Sequence, residues 1–212
     1  MNTLKVHEIF ASIQGESTYA GWPCAFLRLC GCNLDCVWCD TRYACQSFAE
    51  MTVAQARDAL LAYGLPLVEL TGGEPLLCPH TPELAASLAD AGATVLVETN
   101  GSLDIGVLDA RVIAIMDVKC PGSGMEARND YANLERLRPR DEVKFVLASR
   151  EDYLFARETA GRVSRANVVH FSPVSGQLDP ADLAAWMVAD KVRARLALQL
   201  HKYIWSPDAR GV

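Results

Sequence analysis

The chain has 212 residues, half of them apolar, which fits one domain over residues 1–212 with a sizeable core. Its formal charge of −6 argues against an extended basic surface, so no direct nucleic-acid partner is expected. No apolar run reaches membrane-spanning length and Met1-Asn2-Thr3-Leu4-Lys5 does not open a signal peptide, so the expected place is the cytoplasm, away from the membrane.

Val6-His7-Glu8-Ile9-Phe10 reads as a strand leading into the polar loop Ala11-Ser12-Ile13-Gln14-Gly15-Glu16-Ser17. After Gly21 and Pro23, the apolar run Ala25-Phe26-Leu27-Arg28-Leu29 delivers the chain to Gly31 and a cysteine loop. Thr52 with Gln55 makes a capping box for a helix running to Gly64. Leu67-Val68-Glu69-Leu70 is a buried-type strand ending in Thr71-Gly72-Gly73-Glu74-Pro75, and Thr81-Pro82 caps and starts a helix that Gly92 ends. Further strands, at residues 94–97, 112–116, 143–147 and 168–171, each lead into a polar segment. Helical patterns follow near residues 152–160 and from Asp179-Pro180, and Leu196-Ala197-Leu198-Gln199-Leu200 reads as a last strand closed by His201-Lys202.

Strand, polar loop and helix alternate about six times, which predicts an α/β fold with a parallel sheet covered by helices. The chain is short for an eight-unit barrel, so an incomplete (β/α)6-type barrel or a curved open sheet is expected. Its polar segments would gather at the C-terminal ends of the strands.

Eight cysteines in a chain of this kind favour metal or redox chemistry over disulfides. Cys32, Cys36 and Cys39 stand at x3 and x2 spacing, and no fourth cysteine continues the pattern at short range. Three thiolates can hold a four-iron cluster and leave one iron open to a small molecule. The competing reading is a closed zinc site, with Cys24, Cys30, Cys45, Cys78 or Cys120 as fourth ligand. Gly72 and Gly73 permit close backbone approach, and Glu74 can accept hydrogen bonds from an ammonium group. Composition alone favours a solvent-facing Arg28, whereas its place before the cysteine loop suggests a carboxylate clamp. Strand alternation leaves the face of Lys144 open.

Cys-x3-Cys-x2-Cys with Trp38 before the last cysteine, then Gly-Gly-Glu-Pro after the next strand, resembles the radical S-adenosylmethionine (SAM) superfamily. Within it the chain is similar to the 7-carboxy-7-deazaguanine synthase family. Residues 12–16, 26–29, 31–34, Cys39-Asp40-Thr41, 71–75, 98–101, 117–121 and 201–203 carry that likeness nearly end to end. Ser17 departs from it, standing where the family has glycine.

The resemblance implies a [4Fe-4S] cluster on Cys32, Cys36 and Cys39. It implies SAM contacts at Trp38, Cys39, Asp40, Gly73, Glu74, Asp117, Val118 and Lys119, and in the segment Ser172, Pro173, Val174 and Ser175. It further implies Mg²⁺ at Thr41 and substrate contacts at Ile13, Gln14, Gly15, Arg28, Thr71 and the terminal Val212. The implied reaction takes 6-carboxy-5,6,7,8-tetrahydropterin to 7-carboxy-7-deazaguanine by hydrogen abstraction at C6, ring contraction and ammonia loss. This step lies on the route to queuosine and other deazapurines used in tRNA modification. An electron donor such as flavodoxin or ferredoxin and a homodimer are implied as partners. The rival readings are an activase for glycyl-radical enzymes and a non-catalytic zinc-binding module.

Overall fold

A computed structural model of the protein describes residues 2–206 and 209–211. Six strands lie parallel and in chain order across the middle of one sheet. They are β2 (Pro23–Leu29), β4 (Leu67–Gly72), β5 (Thr94–Thr99), β6 (Ile113–Asp117), β7 (Glu142–Leu147) and β8 (Val168–Pro173). At one edge β1 (Thr3–Ile13) runs antiparallel to both β2 and β3 (Ala49–Thr52). The two-residue β9 (Arg195–Leu196) closes the other edge beside β8. The first and last strands of this order do not pair, so the barrel is incomplete, as expected.

Period-two alternation divides the side chains into an inner and an outer set. Leu27, Leu29, Val68, Leu70, Val95 and Val97 point outward into one core with α1 (Val53–Leu61) and α2 (Thr81–Asp90). Val143, Phe145, Val169 and Phe171 form a second outer core with α4 (Arg150–Ala160) and α5 (Pro180–Asp190). Inside, Phe26, Leu67, Leu96, Ile113 and Ile115 make an apolar floor. Above that floor the inward positions become polar: Arg28, Glu69, Thr71, Glu98, Asp117 and Lys144 all line one cavity.

The capping box of α1 is present, with Thr52 Oγ1 accepting from Gln55 N, although the helix ends at Leu61. Asp179 caps α5 through Ala181 N. Three expectations change. Thr81 does not cap α2, because its hydroxyl donates to Pro75 O at 2.6 Å. The regular helix is missing between β5 and β6, where Asp104 accepts from Gly106 N in a single 3₁₀ turn at Ile105–Val107. Asn133, at the start of the four-residue α3 (Asn133–Arg136), holds the same loop by donating to Gly101 O and Leu103 O. The final apolar run is not a strand beyond Leu196. Leu200 N donates to Gly15 O at 3.0 Å, drawing the chain across the barrel mouth into α6 (His201–Ile204).

Candidate active site at the mouth of the barrel

The cysteine loop leaves β2 at its C-terminal end and is fastened to the turn that follows β4. Glu74 N donates to Gly31 O at 2.8 Å and Gly73 N to Leu29 O at 3.2 Å. A Cβ on Gly73 would lie 2.1 Å from Gly31 O and 2.9 Å from Cys32 Cβ, so only glycine fits against this loop. Arg42 Nη2 donates to Cys36 O at 2.6 Å, and Val37 N to Ser123 O at 3.0 Å. Trp38 packs over Gly122, where an added Cβ would meet its ring at 3.1 Å.

Cys32, Cys36 and Cys39 are free thiols that line the cavity, the first and last exposed and Cys36 half-buried. Burial pushes both Cys32 and Cys36 up, so these thiols stay protonated until a metal displaces the proton. Asn100 Nδ2 approaches Cys32 Sγ at 3.8 Å while donating to Asn33 Oδ1 at 3.0 Å. Thr41 Oγ1 lies 3.6 Å from Cys39 Sγ. Among the described residues, no three histidine, cysteine or acidic side chains are drawn to one point as a ready single-ion site. The side chain of Cys45 and residue Val212 lie outside the described part.

The SAM-contact expectations divide. Trp38, Cys39, Asp40, Gly73, Asp117, Lys119 and Val174 line the cavity. Lys119 Nζ holds Asp117 Oδ2 at 2.8 Å. Burial opposes the Lys119 charge, but Asp117 and Cys36 hold it well above its usual range. Asp117 Oδ1, on the cavity wall, is buried with no hydrogen-bond partner, the state expected of an atom that waits for a ligand, whereas Ser172 Oγ is unpartnered but does not line the cavity. Val118 packs into the outer core, Pro173 is buried off the cavity, and Ser175 is exposed away from it. The Glu74 side chain is committed elsewhere. Its carboxylate accepts from Asn100 N at 2.6 Å, Thr99 Oγ1 at 2.8 Å and Leu76 N at 2.9 Å, and it does not line the cavity. Burial pushes Glu74 up and these donors oppose the shift.

Deeper in, Ile13, Gln14, Gly15, Arg28 and Thr71 all line the same cavity of about 510 Å³. Arg28 points inward, with its side chain 15% exposed, so the solvent-facing alternative is wrong. Its Nε donates to Glu8 at 2.7 Å, while both Nη groups have no hydrogen-bond partner among the described residues. Gln14 Oε1 accepts from Glu16 N and Ser17 N, and its Nε2 donates to Glu69 at 2.8 Å. Lys144 settles inward as well, donating to Glu16 at 2.7 Å and to Glu98. Burial disfavours this pair's charges, yet mutual attraction raises Lys144 well above its usual range and lowers Glu16.

Glu16, Glu69, Glu98, Asn100 and Gln199 are cavity residues to which sequence reasoning gave no role, and His201, which it left between binding substrate and closing the last strand, lines the cavity too. The signal was present for Glu69, a charge placed inside an otherwise apolar buried strand. For Gln199 it was not, since a long-range turn of the chain brings it there. Gln199 Nε2 donates to Glu16 at 2.9 Å and Lys202 Nζ to Asp40 at 2.7 Å, joining the C-terminal segment to both catalytic-face loops.

A parallel barrel whose strand ends carry a three-cysteine loop and a glycine-rich turn defines a radical SAM protein, and residues 28–149 match the Radical SAM superfamily model. The chain belongs to the 7-carboxy-7-deazaguanine synthase family of that superfamily. It is 48% identical to the 7-carboxy-7-deazaguanine synthase of Chlorobaculum tepidum, over 99% of this chain and 97% of the relative. It is 41% identical to that of Koribacter versatilis, over 99% of this chain and all of the relative. The crystal structure of QueE from Escherichia coli shares the fold, with a TM-score of 0.77 at 22% identity over 93% of this chain and 94% of that one. Membership implies a [4Fe-4S] cluster and SAM as cofactors. The free thiols and the unpartnered Asp117 oxygen on the cavity wall fit them. The zinc-module reading has no support left.

Proposed function

We propose that the chain, acting as a single domain, converts 6-carboxy-5,6,7,8-tetrahydropterin to 7-carboxy-7-deazaguanine, with hydrogen abstraction at C6, ring contraction and ammonia loss. The observation that carries this reading is one cavity holding three free thiols at its rim and an inward Arg28 with unpaired Nη groups below them. When bound, the cluster and SAM together supply the radical that removes the substrate hydrogen.

The chain's own residues bind and orient. Arg28 offers a planar pair of donors to the substrate carboxylate, with Glu8 holding the guanidinium from behind. Thr71 and the Gln14–Gly15 loop meet the ring edges, and Lys144, Glu16 and Glu98 provide a fixed set of buried charges beside them. Thr41 would offer its hydroxyl oxygen to a Mg²⁺ ion, a hard cation that takes oxygen ligands. Asp117, Lys119 and Trp38 shape the SAM pocket. The C-terminal segment covers the mouth through Gly15, Glu16 and Asp40 and keeps water from the reacting atoms.

The reading places the enzyme in the cytoplasm as a homodimer, reduced by a flavodoxin or ferredoxin; no helix among the described residues is long and apolar enough to cross a membrane. Anaerobic incubation of the reconstituted protein with SAM, Mg²⁺, a reductant and the carboxypterin tests it. Mass analysis should show a product formed by ammonia loss without any partner protein. Unchanged carboxypterin beside cleaved SAM would refute the substrate assignment.

A further inference from the structure

Three carboxyl groups and one ammonium line the deep half of the cavity. Lys144 answers Glu16 and Glu98 directly. Glu69, in the middle of β4 and two residues before Thr71, receives only the neutral amide of Gln14, Nε2 to Oε2 at 2.8 Å. Its residue is 3% exposed, and its other oxygen, Oε1, has no hydrogen-bond partner among the described residues although Glu69 forms part of the cavity wall.

Each element packed around Glu69 adds to the same balance. From β1 and its loop come Phe10, Gln14 and Glu16; from β2, the Cys24 thiol and Arg28; from β5, Glu98; and from β7, Lys144. Neither cation forms an ion pair with Glu69: Arg28 Nε holds Glu8, and Lys144 is held by its two carboxylates. A third anion at Glu69 would sit buried against like charge with one neutral donor. Burial, and then the charge on Glu98, push its carboxyl up to about 8, against the opposing Gln14 bond.

We propose that Glu69 works as a neutral carboxylic acid whose O–H, carried on the oxygen that Gln14 leaves free, donates to a hydrogen-bond acceptor on the heterocyclic substrate. This rests on the pterin reading above and adds a specificity-determining residue to it. Glu16 and Glu98, both accepting from Lys144, offer acceptors alone, so Glu69 supplies the uncharged donor on this wall. A ring carbonyl oxygen or an unprotonated ring nitrogen fits it. An analogue lacking that acceptor leaves a buried O–H unpaired and is rejected.

Glu69→Gln tests the assignment, because its amide still accepts from Gln14 and its N–H replaces the O–H. Its kcat/KM at pH 7 should exceed that of Glu69→Leu, which has no donor, by at least about tenfold. Above about pH 8 the wild-type value should fall by roughly tenfold per unit of pH, while the variant holds level. A Glu69→Gln variant no more active at pH 7 than Glu69→Leu, or one whose alkaline decline is identical to wild type, would overturn the proposal. Infrared spectra of the reconstituted, substrate-free protein give a second readout. A protonated-carboxyl band should be present at pH 6.5, vanish by pH 9.5 and be absent from Glu69→Gln; wild type without it refutes a protonated Glu69. Should neither protein turn over the carboxypterin, the substrate reading fails, while the infrared band still upholds or overturns the proton on Glu69.

Discussion

Lys144 Nζ lies 2.7 Å from Glu16 Oε2, joining the middle of β7 to the loop after β1 across 128 residues of chain. Glu98 completes the cluster from β5. Removing the ammonium would leave two partly buried carboxylates against each other without a counter-charge; losing one partner of a fully buried pair costs about 3–5 kcal/mol, and the partial exposure of Glu98 brings the cost here toward the lower end. Lys144→Met should therefore unfold at lower denaturant and lose at least roughly a hundredfold in kcat/KM, a coupled result that urea titration and steady-state kinetics both read. A stable, active variant would show that the cluster is not needed.

Two glycines in the site predict opposite severities. At Gly73 an added Cβ meets backbone, 2.1 Å from Gly31 O, and the cysteine loop must move. At Gly15 the obstacle is the His201 side chain, 2.5 Å away at Nδ1, which has rotamers to turn into. Gly73→Ala should reconstitute with well under the full complement of iron. Gly15→Ala should keep its iron and change mainly the KM for the carboxypterin. Iron analysis beside a substrate titration separates them, and equal iron loss in both would contradict the packing argument.

Glu74→Ala strips the acceptor from Leu76 N, Thr99 Oγ1 and Asn100 N. Each buried donor left unpaired costs about 1–3 kcal/mol, so a loss of roughly 3 kcal/mol or more is expected. Thermal unfolding of the cluster-free protein should already show it. If the apoprotein is as stable as wild type and only SAM binding suffers, the carboxylate acts on the ligand and not on the fold.

The raised carboxyl of Glu69 also predicts how stability varies with pH. The folded chain keeps a proton that the unfolded chain releases above its ordinary value of 4.5, so the folded state weakens as pH rises from there to about 8. At pH 7 the penalty is about 3 kcal/mol. Glu69→Gln, which has no proton to lose, should be more stable than wild type at pH 7.5, with the gap closing toward pH 5. Urea unfolding across that range reads it, and a gap that does not vary with pH would argue against a buried acid.

The parallel order of β2 and β4 to β8, and the polar segments at their C-terminal ends, were legible in the alternation of apolar strands and helices. So were the three thiols and the glycine turn, because local spacing alone encodes them. The helix missing between β5 and β6 was not, since Asn133, some thirty residues downstream, fixes that loop through its amide. The inward face of Arg28 and Lys144 depended on strand register across the sheet, which a single strand does not carry. Glu74 illustrates the converse: its motif is plain in the sequence, yet one neighbouring donor, Leu76 N, and two from the end of β5, Thr99 Oγ1 and Asn100 N, turn its side chain away from the cavity. Gln199 and His201 reach the site only because Leu200 N finds Gly15 O across the mouth.

In the proposed function, Cys32, Cys36 and Cys39 alone anchor the cluster and leave one iron for SAM. Electron–nuclear double resonance on the reduced, reconstituted protein with SAM labelled at the methionyl nitrogen and carboxylate oxygen tests it directly. Hyperfine coupling to both labels, lost in Cys36→Ala together with the cluster, is the result predicted. A cluster that shows no coupling to either label, with a fourth protein side chain on its iron, would contradict the account.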